Sequence, residues 1–205
     1  MEGILKPSMM EGRKVHPHKF ALWLALGSIT MMFAGLTSAY IVRMAQGNWR
    51  LFSLPITFYI STTVILISSV TMVLGLKAFR AREMSRYRTF ISTTLILGIL
   101  FGVLQVIGFY QLYHTPQIMA LAGGKTILET VRVNGNPSES FLFIIAGLHL
   151  VHILGGIVAL TIVFGRAFSK RIKVYNTTGL EIVATYWHFV DVLWLYLFIF
   201  FLVNQ

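Results

Sequence analysis

The sequence predicts an all-α integral membrane protein, a bundle of five transmembrane helices with its N-terminus cytoplasmic and its C-terminus outside. Three observations predict it. Hydrophobic residues make up 56% of the 205 and charged residues only 12%, about half the charged share of a soluble domain. The residues free of Asp, Glu, Lys and Arg fall into long runs, 20–42, 51–76, 89–124 and 140–165, and a fifth run after Glu181 is broken only by Asp191. The basic residues divide unevenly between the loops. Each apolar run is long enough for the roughly 20 residues a spanning helix needs. Only helices or closed barrels satisfy their backbone in lipid, and no alternating segments of about ten residues signal a barrel.

Trimmed by hydropathy, the helices are expected at about 20–43, 53–77, 89–113, 140–165 and 181–203, forming one membrane domain over 1–205. The first is preceded by a polar segment, 1–19, with no apolar core and no cleavage site of a signal peptide. Pro55 falls in the first turn of the second helix, where proline is tolerated. That helix carries Ser61, Thr62, Thr63, Ser68, Ser69 and Thr71, hydroxyls that can return hydrogen bonds to their own backbone. The third helix has a lone amide, Gln105, suited to bonding a neighbouring helix. The outer loop 114–139 contains Gly123-Gly124, Asn134-Gly135 and Asn136-Pro137, turn dipeptides that predict a small hairpin or irregular cap. Gly155-Gly156 and Ala146-Gly147 on the fourth helix are small residues that let a neighbour approach. Trp49, Tyr110, Tyr113, Trp187 and Trp194 are candidates for interfacial belts, with Trp187 and Trp194 deep for that role.

The formal charge is +10, from 17 Lys and Arg against 7 Asp and Glu. Thirteen of the basic residues fall in the N-terminal segment and the second and fourth loops, including Arg80 and Arg82. Four fall on the other side: Arg43, Arg50, Lys125 and Arg132. This asymmetry sets the orientation and accounts for the charge without nucleic acid. There is no cysteine, which excludes disulfides, Cys-ligated zinc and iron–sulfur clusters. No phosphate loop, nucleophile triad or metalloprotease helix is present. Paired broken helices of the transporter kind are also missing.

Ionisable groups inside the membrane are costly and tend to be functional. His149 and His152 share a face of the fourth helix. Glu181, His188 and Asp191 follow one face of the fifth. If the two helices run antiparallel, Asp191 and His152 sit at similar depth. Three readings stay open on the residues alone: His149, His152 and His188 as axial ligands of a b-type haem or of a metal, a structural cluster in which these groups satisfy one another, or a proton path through the membrane.

Tyr186-Trp187-His188-Phe189-Val190-Asp191-Val192-Leu193-Trp194, with Glu181 seven residues before His188, closely resembles the last helix of subunit III of haem–copper terminal oxidases. Ala146-Gly147-Leu148-His149-Leu150-Val151-His152-Ile153-Leu154-Gly155-Gly156 resembles the helix before it. Phe101 with Gln105, Ser68-Ser69, and Ala39-Tyr40 with Arg43 fit the earlier helices, so the resemblance spans about 19–203. It implies an accessory subunit of a proton-pumping oxygen reductase, cytochrome c oxidase, in a bacterial plasma membrane. The chain would bind no haem, copper or other metal. Those cofactors would lie in partner subunits I and II, within an oxidase that can join a larger respiratory supercomplex. The implied fold has a V-shaped cleft holding phospholipids, and the implied role is to support stability and proton uptake of the catalytic subunit. Arg43, Arg80, Arg82, Gln105 and Trp187 are then candidate lipid or inter-helix contacts. Subunit III of a quinol oxidase, the accessory protein of a nitric oxide reductase and a free-standing b-type cytochrome are the alternatives. Two departures stand out: five helices where the long family form has seven, and Gly27-Ser28-Ile29 where many members have a glutamate at the position of Ile29.

Overall fold

The computed structural model describes residues 17–47, 49–51, 53–121, 126–131, 136–169 and 177–204. Five helices occupy most of them: α1 Pro17–Ala45, α2 Ile56–Arg80, α3 Met84–His114, α4 Pro137–Phe168 and α5 Thr178–Val203. All five are long and apolar enough to cross a membrane. The shortest has 25 residues, about 38 Å at 1.5 Å per residue, longer than the roughly 30 Å hydrocarbon layer. Most helix ends therefore lie a few residues outside the hydropathy limits. Hydropathy locates lipid, whereas the helix continues through the interface until a cap or turn stops it. The exceptions are the end of α5, which falls at Val203 as expected, and the start of α2, where Pro55 is the N-cap residue.

Three short strands close the end of the bundle opposite the start of α1: β1 Arg50–Leu51, β2 Gln117–Leu121 and β3 Thr126–Glu129. They form an antiparallel sheet in the order β1-β2-β3, with Gln117 opposite Glu129 and Arg50 opposite Leu121. The hairpin expected in the outer loop is β2–β3, and the α1–α2 connection adds a third strand to it. The Val131 amide donates to the Leu112 carbonyl at 3.2 Å, tying the returning chain to α3. The turn dipeptides Gly123-Gly124 and Asn134-Gly135 lie outside the described residues, as do Lys125, Arg132 and the basic residues of 1–16 and 170–176.

Helices α2, α3, α4 and α5 form a closed ring in which each packs on the next, α5 returning to α2. The pair α2–α3 is the tightest, joined by the turn 81–83, in which Arg82 has φ 61°. Helix α1 packs chiefly against α4 and α5, so it stands beside the ring. Its surface carries exposed Phe20, Trp23, Leu24, Met31 and Val42, a pattern suited to lipid or another membrane protein rather than water.

Candidate functional site

Helix α5 is the axis on which the polar groups are arranged. Its tryptophans Trp187 and Trp194, two turns apart, both point into the ring and are 1% and 3% exposed. Trp187 Nε1 donates to Ser68 Oγ of α2 at 3.2 Å. Its ring lies against Gly98 of α3 and Gly156 of α4, where an added Cβ would come within 2.7 Å and 3.0 Å of ring carbons. One side chain thus touches all three other members of the ring. Trp194 Nε1 donates to Thr62 Oγ1 at 3.0 Å, and its ring packs on Phe58, Phe101 and His149. A buried indole N–H left without a partner would be costly in lipid, so the hydroxyls of α2 fix the register of α5. Ser68 in turn donates to the Thr94 carbonyl at 3.3 Å, and Thr71 and Thr94 share a hydroxyl contact at 2.8 Å. Gln105 Nε2 donates to Ser61 Oγ at 2.9 Å, the inter-helix role expected of it. Several hydroxyls also return to their own backbone, Ser61 and Thr62 both to the Phe58 carbonyl. The return to the backbone is the use expected from the sequence; the cross-helix bonds of Ser61, Thr62 and Ser68 are additional.

The five ionisable candidates do not satisfy one another. His149 is 1% exposed, stacked at 5.2 Å on Trp194 and edge-on to Phe33, and neither ring nitrogen has a hydrogen-bond partner. His152 Nδ1 contacts the Leu148 carbonyl of its own helix at 2.7 Å. Its carbonyl accepts from Tyr186 Oη at 3.0 Å. His188 Nδ1 lies 2.7 Å from Ser69 Oγ of α2. Asp191 is 2% exposed and neither carboxyl oxygen is hydrogen-bonded. Glu181 sits at the end of α5 and pairs outward, with Lys19 at 2.8 Å and Arg80 at 2.9 Å. Trp194 fills the space in front of His149 and His188 turns to Ser69 of α2, so the two histidines do not meet. Among the described residues, no group of three or more His, Asp or Glu is placed to hold a metal.

Glu181 and His188 do share a face, as their spacing implies, and that face lines a pocket of about 290 Å³ between α1, α2 and α5. Lys19, Trp23, Leu76 and Arg80 complete its walls. It combines two cations bound to one carboxylate with apolar Leu22, Trp23, Leu76 and Ile182, and Thr185 and His188 add polar groups to its wall. Arg43, at the other end of α1, donates to Gln46 Oε1 at 2.6 Å, a local bond. Arg88 donates to the Ala167 carbonyl at 2.9 Å and lies 5.6 Å from the Phe168 ring centre, fastening α3 to the end of α4. Trp49 is 5% exposed, packed edge-on at 4.6 Å against Tyr40, so it belongs to the core and not to an interfacial belt. Gly147 meets nothing within 4 Å, and the close approach expected of the small residues occurs at Gly156.

Glu139 was not singled out by the sequence. It is fully buried in the first turn of α4 and pairs with Arg50 of β1 at 3.3 Å, holding the small sheet onto the bundle. Asn136-Pro137 just before it marks a helix start, where a carboxylate complements the helix dipole.

Comparison with known proteins decides the family. The family model for cytochrome c oxidase subunit III matches residues 50–204. The chain belongs to the cytochrome c oxidase subunit III family. It is 33% identical to cytochrome c oxidase subunit 3 of Corynebacterium diphtheriae over 82% of this chain and 79% of the relative. It is 24% identical to the same subunit of Bacillus sp. over 86% and 80%, and 25% identical to cytochrome bo(3) ubiquinol oxidase subunit 3 of Buchnera aphidicola over 90% and 85%. The expectation drawn from the last two helices is borne out. Family membership and five spanning helices make this a multi-pass protein of a bacterial plasma membrane, of the accessory subunit class of the haem–copper oxidases.

Proposed function

We propose that this chain is the lipid-holding, non-catalytic subunit III of a cytochrome c oxidase. In this reading it carries no redox centre. It sits against subunit I, beside subunit II, and supports the stability and proton uptake of the catalytic subunit, with its N-terminus cytoplasmic. The observation that carries the lipid part is the α1–α2–α5 pocket. Lys19 and Arg80 lie at its mouth and Trp23 and Leu76 along its wall, the amphipathic pairing a phospholipid requires. Lys and Arg near an anionic membrane surface each contribute about 1 kcal/mol of lipid attraction. Glu181 holds both cations in place and leaves one net positive charge for a phosphate. The ubiquinol oxidase subunit among the relatives supports a second reading, in which the electron donor is a quinol.

Extraction in mild detergent through a tag on this chain tests the proposal. Haem and copper arriving with large co-purifying subunits are expected, and a CuA absorbance and cytochrome c-supported oxygen uptake would select the donor. Haem bound to the chain alone, lost in His188→Ala, would overturn it. Bound phospholipid should fall in Lys19→Gln/Arg80→Gln; unchanged lipid content would remove the pocket from the proposal.

A further inference from the structure

Asp191 is the one carboxyl group placed deep in the membrane-spanning part of the described residues, and the structural role of α5 does not account for it. It faces inward at 2% exposure, and no donor reaches either oxygen. The tryptophans on either side of it, Trp187 and Trp194, are already bonded to Ser68 and Thr62. An ionised carboxylate with neither cation nor donor is among the most unfavourable groups a protein can bury. With its proton, the same group becomes a donor.

The nearest polar neighbours give that proton somewhere to go. Ser69 of α2 places its Oγ 2.7 Å from His188 Nδ1, three residues before Asp191 on α5. His188, one turn before Asp191, lines the pocket shared with Glu181, Lys19 and Arg80. The order from core to pocket is therefore carboxyl, hydroxyl, imidazole.

We propose that Asp191, Ser69 and His188 form a proton-exchange site inside the membrane, opening through His188 into the α1–α2–α5 pocket. The transfer balances without any other reactant. The Asp191 proton passes through one bridging water to Ser69 Oγ. The Ser69 proton passes along its hydrogen bond to His188 Nδ1, and the proton on Nε2 leaves to water in the pocket. The result is a carboxylate, an intact serine, a neutral imidazole of the other tautomer, and hydronium. The ionisable groups around the site are His149 and His152 on α4, Glu181 on α5, Lys19 on α1 and Arg80 on α2. The last three form the paired cluster at the pocket mouth, in which two cations keep the single carboxylate ionised.

The test is infrared spectroscopy of the chain purified with whatever partners it brings, transferred from H2O to D2O. Subtracting Asp191→Asn from wild type should leave one carboxylic acid C=O band that shifts on deuteration. Ser69→Ala and His188→Phe should keep the band but slow its exchange about tenfold, the effect of losing one hydrogen-bonded step. Ser69→Thr, which retains a hydroxyl, should restore the rate. A purely structural role for these residues would alter subunit content without changing that rate. Absence of an acid band, or exchange at the wild-type rate in both relay variants, would overturn the proposal. The readout requires no turnover, so it stands or fails separately from the oxidase assignment.

Discussion

Replacing Gly98 with alanine tests whether Trp187 is the centre of the ring. The added Cβ would lie 2.7 Å and 2.9 Å from two carbons of the indole. Carbon atoms rest at about 3.5 Å or more, so the ring must retreat by roughly 0.8 Å. It has little room, because Gly156 bounds it on α4 and Ser68 holds its nitrogen on α2. Overpacking of this kind costs about 1–3 kcal/mol, set against up to about 1 kcal/mol gained from alanine's helix preference. The net expectation is a loss of about 1–2 kcal/mol. Gly147→Ala is the matched control: it is also mid-helix, and its Cβ would meet nothing within 4 Å, so it should be neutral or slightly stabilising. Unfolding of the purified chain by an SDS titration measures both. In a Trp187→Phe background the smaller ring should relieve the clash, giving a coupling energy of about 1 kcal/mol or more. Equal effects at Gly98 and Gly147, or additive effects of Gly98→Ala and Trp187→Phe, would refute the packing argument.

Other perturbations read other parts of the fold. Glu181→Gln separates α5 from Lys19 and Arg80; because both cations are well exposed, the stability loss in the same titration should be at most about 1 kcal/mol, while anionic lipid retained in native mass spectra should rise. Asn136 Oδ1 accepts from the Ser138 amide at 3.1 Å, so Asn136→Ala should cost about 1 kcal/mol as a lost N-cap. Gln105→Leu removes one hydrogen bond together with a buried oxygen that has no partner, and should fall within about 1 kcal/mol of wild type. Neutralising Arg80, Arg82, Arg86 and Arg88 together should disturb orientation or lipid retention, read by cysteine accessibility from each side and by co-purifying phospholipid.

The helices were legible because lipid imposes one requirement on every residue of a span, and the charge-free runs record it. Their ends were not, since a helix leaves the hydrocarbon layer before it stops. The motifs around His149 and His188 identified the family, yet they misled on geometry: helical spacing places two residues on a face but does not say what fills the space in front of it. Here indole rings fill it. The hydroxyls of α2 were read as returning to their own helix, and Ser61 and Thr62 do. That Thr62 and Ser68 also receive the two indole N–H groups depends on a register between helices more than a hundred residues apart. Glu139 escaped notice for a related reason. Its partner Arg50 comes from another loop, and only the sheet brings them together.

The position of α1 beside the ring has a consequence for how the protein is made. Its long-range hydrogen bonds, Lys19 to Glu181 and Thr37 to Tyr196, join residues 162 and 159 apart, and its packing partners α4 and α5 are synthesised only after α2 and α3. The hairpin α2–α3 can close as soon as it emerges. Helix α1 must instead remain a solitary span until α4 and α5 have followed it into the bilayer. Its lipid-compatible surface suits that wait, and its docking is the late, slow event that long-range contacts imply.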